Sequence, residues 1–101
     1  MDKKLGSVAK LRELLLGMEN ELGLGELTRN ELDLLYAIER LAQVAVPVRS
    51  EDMRQHPLVS HMTQPTFHRT LRGLLERGLL MRAADAKTGR YMLAQAVSHA
   101  S

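Results

Sequence analysis

Apolar residues recur along this chain at helical spacings. Val8, Leu11, Leu15, Met18 and Leu22 are separated alternately by three and four positions. That is a two-heptad seam, and it predicts a helix over 7–22 with Ser7 as its cap and Gly23 and Gly25 beyond its end. Gly17 weakens this helix by about 1 kcal/mol relative to alanine, and Leu14 and Leu16 widen its apolar surface. A second helix enters through Thr28 and Glu31, a capping box, with Leu27 and Leu32 placed as a hydrophobic staple. Leu32, Leu35, Tyr36, Ile38 and Leu41 carry it on until Pro47 forbids continuation. Val46-Pro47-Val48 then predicts a very short strand with both valines on one face. Ser50 caps a third helix, with Glu51 and Asp52 in the first turn where the helix dipole favours acids. His56-Pro57 breaks it, and Leu58, Val59 and Met62 are expected to turn inward. Thr63 caps a fourth helix that holds Gln64 and Pro65 in its first turn, runs to about Arg77 and stops at Gly78. Two short apolar stretches, 79–84 and 90–94, flank the polar segment 85–89, which predicts a β-hairpin with a loop of about five residues. The expected class is mainly α with a small β-hairpin, α+β.

Composition narrows the chemistry. The 101 residues fit one domain, and 45% apolar content is enough for a core. Only 3% are aromatic, so that core must be built from Leu, Val, Met and Ala. The absence of cysteine removes disulfides, thiolate metal sites and a cysteine nucleophile together. No apolar run approaches the roughly 20 residues needed to cross a bilayer, and the polar start gives no secretory signal. A cytoplasmic protein without membrane contact is expected.

Charge is unevenly spread. Residues 1–48 carry six basic and eight acidic side chains, and residues 49–101 carry eight basic and four acidic. The second half is therefore +4 and the first −2, an imbalance that suits a polyanionic partner for the second half.

The fourth helix carries the sharpest signal. On a helix, Phe67, Leu71 and Leu74 fall within about 60° of one another and form an anchoring stripe. Pro65, Arg69, Arg72 and Glu76 project from the opposite side, with Thr66 and His68 on its flanks. Arginine bonds bidentately to guanine and glutamine to adenine, each good pair giving roughly 1–3 kcal/mol of discrimination. Thr63, Gln64, Pro65, Thr66, His68 and Arg69 occupy the N-terminal half, where base contacts concentrate. Arg72, further along, suits a phosphate.

The stretch from Thr63 through Phe67-His68-Arg69, Leu71-Arg72 and Leu74-Leu75 to Glu76-Arg77-Gly78-Leu79-Leu80 resembles the recognition helix and wing entrance of MarR-like winged helix-turn-helix regulators. The resemblance covers about two thirds of the chain, from Thr28 onward. Pro57 and the long connection around it depart from the family's pattern. The resemblance implies a winged helix-turn-helix domain over 27–95, preceded by an extra N-terminal helix in segment 1–26 and followed by a flexible tail over 96–101. It also implies a double-stranded DNA-binding transcriptional regulator, with helix 64–77 in the major groove and wing 79–94 on the backbone or minor groove. Lys87 and Arg90 fall at the implied wing tip, and Arg82 lies on the same hairpin. Arg49, at the entrance to the third helix, is a further phosphate candidate.

Other chemistries find no apparatus. His56, His61 and His68 are spaced by five and seven positions, which does not put them on one helical face, so no metal site is expected. Ser50 and Ser60 have no base and orienting group around them, and no glycine-rich phosphate loop occurs. No enzyme, cofactor or catalytic residue is expected, and no effector ligand is indicated. The N-terminal seam has two readings, packing on its own domain or pairing with a second subunit. A homodimer is expected, since it would set two recognition helices about 34 Å apart on a palindromic operator. The rival function is a winged-helix interaction adaptor, or a replication or plasmid-maintenance factor, without sequence-specific DNA binding.

Overall fold

A computed structural model describes residues 2–84 and 89–94. Lys87, expected at the wing tip, and the tail expected over 96–101 lie outside the described residues. The chain is mainly helical with one small antiparallel sheet. In order the elements are α1 (Asp2–Glu21), α2 (Arg29–Ala42), β1 (Val48–Arg49), α3 (Ser50–Gln55), α4 (Gln64–Glu76), β2 (Leu80–Arg82) and β3 (Arg90–Leu93).

Local signals set both long core helices. The Thr28 side chain accepts from the Glu31 backbone N–H at 3.1 Å, and the Thr28 N–H donates to Glu31 Oε1 at 2.9 Å. Thr63 Oγ1 likewise accepts from the Thr66 N–H, with Pro65 inside the first turn. After α4, Gly78 adopts φ +77°, a left-handed conformation in which glycine escapes the steric cost other residues meet.

The expected boundaries shift in four places. α1 begins at Asp2, five positions ahead of Ser7. Lys3, Lys4 and Leu5 are good helix formers and carry the helix across Gly6, so Ser7 does not cap. α2 stops at Ala42 rather than just before Pro47. Gln43 and Val44 bond three residues back, and Val44 is 87% exposed, so nothing rewards another α-helical turn. The short strand is Val48–Arg49, and Val46 and Val48 do not share a buried face: Val48 enters the core while Val46 is exposed. Ser50 is the first residue of α3, and the Arg49 ahead of it offers no side-chain cap. The Ser50 N–H donates instead to the Gly89 carbonyl at 2.8 Å.

The hairpin expected from the sequence is a three-stranded sheet in the order β1-β3-β2, both pairs antiparallel. Val48 pairs with Tyr91 and Arg49 with Arg90; Leu80 pairs with Leu93 and Arg82 with Tyr91. Alternation decides the faces. Val48, Leu80 and Tyr91 are buried, whereas Met81 and Met92 point outward.

The core gathers Leu34, Ile38, Met53, Val59, Phe67 and Leu74, each less than 2% exposed. α2 lies across α4 and α3, and the sheet closes one end. In the turn after α3, Val59 is buried and Met62 half-buried, as expected. Leu58 is not: it is exposed, because the His56–Ser60 turn aims it at a cleft between α1 and α2. Among the described residues no helix is long and apolar enough to cross a membrane.

One ion pair ties the two principal helices. Arg77 Nε donates to Glu31 Oε2 at 3.1 Å, joining the C-terminus of α4 to the N-terminus of α2. A side chain at Gly73 would meet that same oxygen, its Cβ coming within 2.6 Å, so the glycine lets the carboxylate lie against α4. Burial disfavours the ionised carboxylate, but the Thr28 N–H and Arg77 outweigh it and hold the Glu31 pKa below its ordinary value. A depressed carboxyl pKa stabilises the fold above the unfolded value, near 4.3, and that contribution disappears as pH falls through the lower folded value. Glu31→Ala therefore costs about 1–2 kcal/mol at neutral pH, from the lost cap and the unpaired Arg77. Its effect in urea titrations shrinks toward zero in acid. An equal loss at pH 7 and well below pH 4 would refute the assignment.

Candidate nucleic-acid interface

α4 has two edges of opposite character. Phe67, Thr70, Leu71 and Leu74 are buried, Phe67 at 1% and Leu74 fully. Thr70 satisfies its hydroxyl by donating to the Thr66 carbonyl at 2.7 Å. Across the helix Gln64, Pro65, His68, Arg69, Arg72 and Glu76 are exposed, and Thr66 is half-exposed. Thr63, exposed at the cap, shares its hydroxyl with Thr66 Oγ1 at 3.0 Å. His68 packs edge-on to Phe67, with ring centroids 5.4 Å apart at 70°. That contact fixes the root of the imidazole while leaving the residue outside.

The arginines divide by engagement. Arg77 pairs with Glu31, Arg49 with Asp52 at 3.3 Å, and Arg29 with Asp33 at 3.7 Å. Among the described residues Arg69 and Arg72 have no carboxylate within ion-pair distance. α4 also lacks an acid in its first turn, unlike α3, which carries Glu51 and Asp52 there. The exposed edge of α4 therefore offers two uncompensated cations and several neutral donors, with Glu76 confined to the far end.

The neighbouring elements add cations at the margins. Arg90 on β3 is half-exposed and sits opposite Arg49 on β1, and Arg82 is exposed on β2. The sequence reading overlooked Arg54. It lies on α3, exposed, with its guanidinium 5.6 Å from the Phe67 ring centre. It borders an open cleft of about 350 Å³ between α3 and α4. Its signal was the pairing of α3 with α4, a tertiary relation that spacing within α3 does not carry. Of the residues singled out from sequence, Thr63, Gln64, Pro65, Thr66, His68, Arg69 and Arg72 all lie on or at the start of α4. Arg90 lies apart on the sheet.

The histidines behave as individuals. His56 Nδ1 accepts from the Leu58 N–H at 3.1 Å, which shapes the turn, while His68 lies against Phe67. Among the described residues no group of three or more His, Asp or Glu side chains is arranged to hold a metal ion.

Compared with protein-family models, with curated proteins and with solved structures, the chain matches none.

Proposed function

We propose that this chain is a winged helix-turn-helix protein of the MarR-like kind that binds double-stranded DNA as a transcriptional regulator. α3 and α4 form the helix-turn-helix, α4 is the recognition helix, and the hairpin of β2 and β3 is the wing. The observation that carries this reading is the exposed edge of α4, where Arg69 and Arg72 stand without carboxylate partners among the described residues, opposite the buried Phe67–Leu74 edge. An arginine kept free of internal ion pairs keeps its forked donors available for a guanine edge or a phosphate.

A division of labour follows from position. Gln64, Thr66, His68 and Arg69, in the first half of α4, read base edges, with Thr63 and Pro65 shaping the entry of the helix. Arg72 contacts phosphate. Arg90, and Lys87 by its place in the sequence, hold the backbone beside the wing. Such contacts fix register without reading sequence. The small sheet supports the arrangement: β1 anchors β3 through Val48 and Tyr91, so the hairpin is tied to the core beside α4.

Selection of bound duplexes from a random pool tests the proposal. The expected result is enrichment of a defined motif containing guanine within reach of Arg69. Recovery of the unselected pool composition after repeated rounds would reject sequence-specific binding.

A further inference from the structure

We infer that the cleft between α3 and α4 binds a small zwitterion with an apolar body, of the class of the free aliphatic α-amino acids. The cleft holds about 350 Å³, at the lower end of the roughly 300–1,000 Å³ typical of small-molecule sites. Its floor is apolar: Phe67 and Val59 are each 1% exposed, and the half-buried Met62 lies with them. Its rim is polar and exposed. Glu51, Arg54 and Gln55 stand at i, i+3 and i+4 on α3 and so share one face of that helix. Ser60 adds a hydroxyl from the turn that follows.

The charges on this rim are left apart. At the start of α3, Arg49 closes on Asp52, three positions on, at 3.3 Å. Glu51 and Arg54 have the same spacing and do not close. Among the described residues neither has an oppositely charged partner within ion-pair distance. The Arg54 guanidinium lies instead against the floor, 5.6 Å from the Phe67 ring centre. Helical neighbours three positions apart have Cβ atoms about 5–6 Å from each other, near enough for one small molecule to meet both. A ligand ammonium on Glu51 and a ligand carboxylate on Arg54 supply the partners that these two side chains lack. Gln55 and Ser60 offer further hydrogen bonds, and an aliphatic side chain covers Phe67 and Val59. The two rim charges cancel, so an anion alone, such as phosphate, would gain Arg54 but meet Glu51 unmatched. On the proposed function, a molecule seated here touches both helices of the helix-turn-helix. Its binding does not rest on that reading.

Titration of L-leucine, L-valine and L-methionine into the full chain, followed by amide NMR shifts, tests the site without DNA. Saturable shifts are expected over residues 51–62 and at Phe67, with a dissociation constant on the order of 1 mM for at least one of the three. Leucinamide lacks the carboxylate and N-acetylleucine the ammonium; each should bind about 10-fold more weakly than leucine or worse. Glycine, without a side chain, should give no saturable shift. Glu51→Gln and Arg54→Gln should each raise the dissociation constant about 10-fold or more, with circular dichroism unchanged because both side chains are exposed. Absence of saturable shifts with all three amino acids would overturn the site, as would binding indifferent to both substitutions. Leucinamide, N-acetylleucine or glycine binding as tightly as leucine would overturn the ligand class. So would inorganic phosphate displacing leucine at equal concentration. Each of these outcomes is read whether or not α4 binds DNA.

Discussion

Arg69→Ala weakens binding to the selected duplex by about 5- to 150-fold, the consequence of losing one bidentate pair worth roughly 1–3 kcal/mol. The side chain is exposed and has no carboxylate partner among the described residues, so the substitution removes little from the folded protein. Melting temperature and circular dichroism should match wild type. Specificity should relax at one base-pair position and hold elsewhere. Arg72→Ala should differ in kind, weakening all duplexes alike and lowering the salt slope by about one, because a phosphate contact carries no sequence information. Gel-shift titrations against the selected duplex and its single-base variants separate the two. Unchanged affinity and specificity in Arg69→Ala would remove that residue from the interface.

Phe67→Ala lowers the free energy of unfolding by about 3–5 kcal/mol. Phe67 is the largest fully buried side chain and lies where α4 meets α3, 1% exposed beneath Arg54 and beside His68. Its removal deletes a large apolar contact and leaves a cavity that neighbouring leucines cannot fill without moving. Against a total stability of about 5–15 kcal/mol for a domain of this kind, the variant is largely unfolded on mild heating. Urea denaturation followed by circular dichroism measures the loss directly. A cost below about 1 kcal/mol would show that α4 is not anchored through this side chain. DNA binding is lost here together with the fold, whereas Arg69→Ala keeps the fold, so the pair separates scaffold from reading surface.

What was legible in the sequence was local. Thr28 with Glu31, and Thr63 with Pro65 and Gly78, are signals that act within one turn, and the structure uses each where the spacing puts it. The two edges of α4 were legible for the same reason, since helical periodicity alone separates Phe67, Leu71 and Leu74 from Arg69 and Arg72. Relations across the chain were not. β1 has only two residues, and its pairing with β3 joins segments about 40 positions apart. Arg77 and Glu31 are 46 positions apart, and nothing near either names the other. Leu58 misled because an apolar residue in a turn is pointed by the turn, not by a period. The α1 seam was readable as a pattern, yet only its exposure separated a face packed on its own domain from one left open.

On the proposed function α4 meets duplex DNA through its cationic edge, and a salt series measures that most directly. Fluorescence anisotropy of a labelled random duplex, titrated with the full chain between low and physiological salt, should give measurable binding whose logarithm falls linearly with the logarithm of salt concentration. Three phosphate contacts, from Arg72 and the two wing cations, set a slope of about −2.7. No binding at low salt, or a slope near zero, would contradict DNA as the partner and leave α4 a surface for protein.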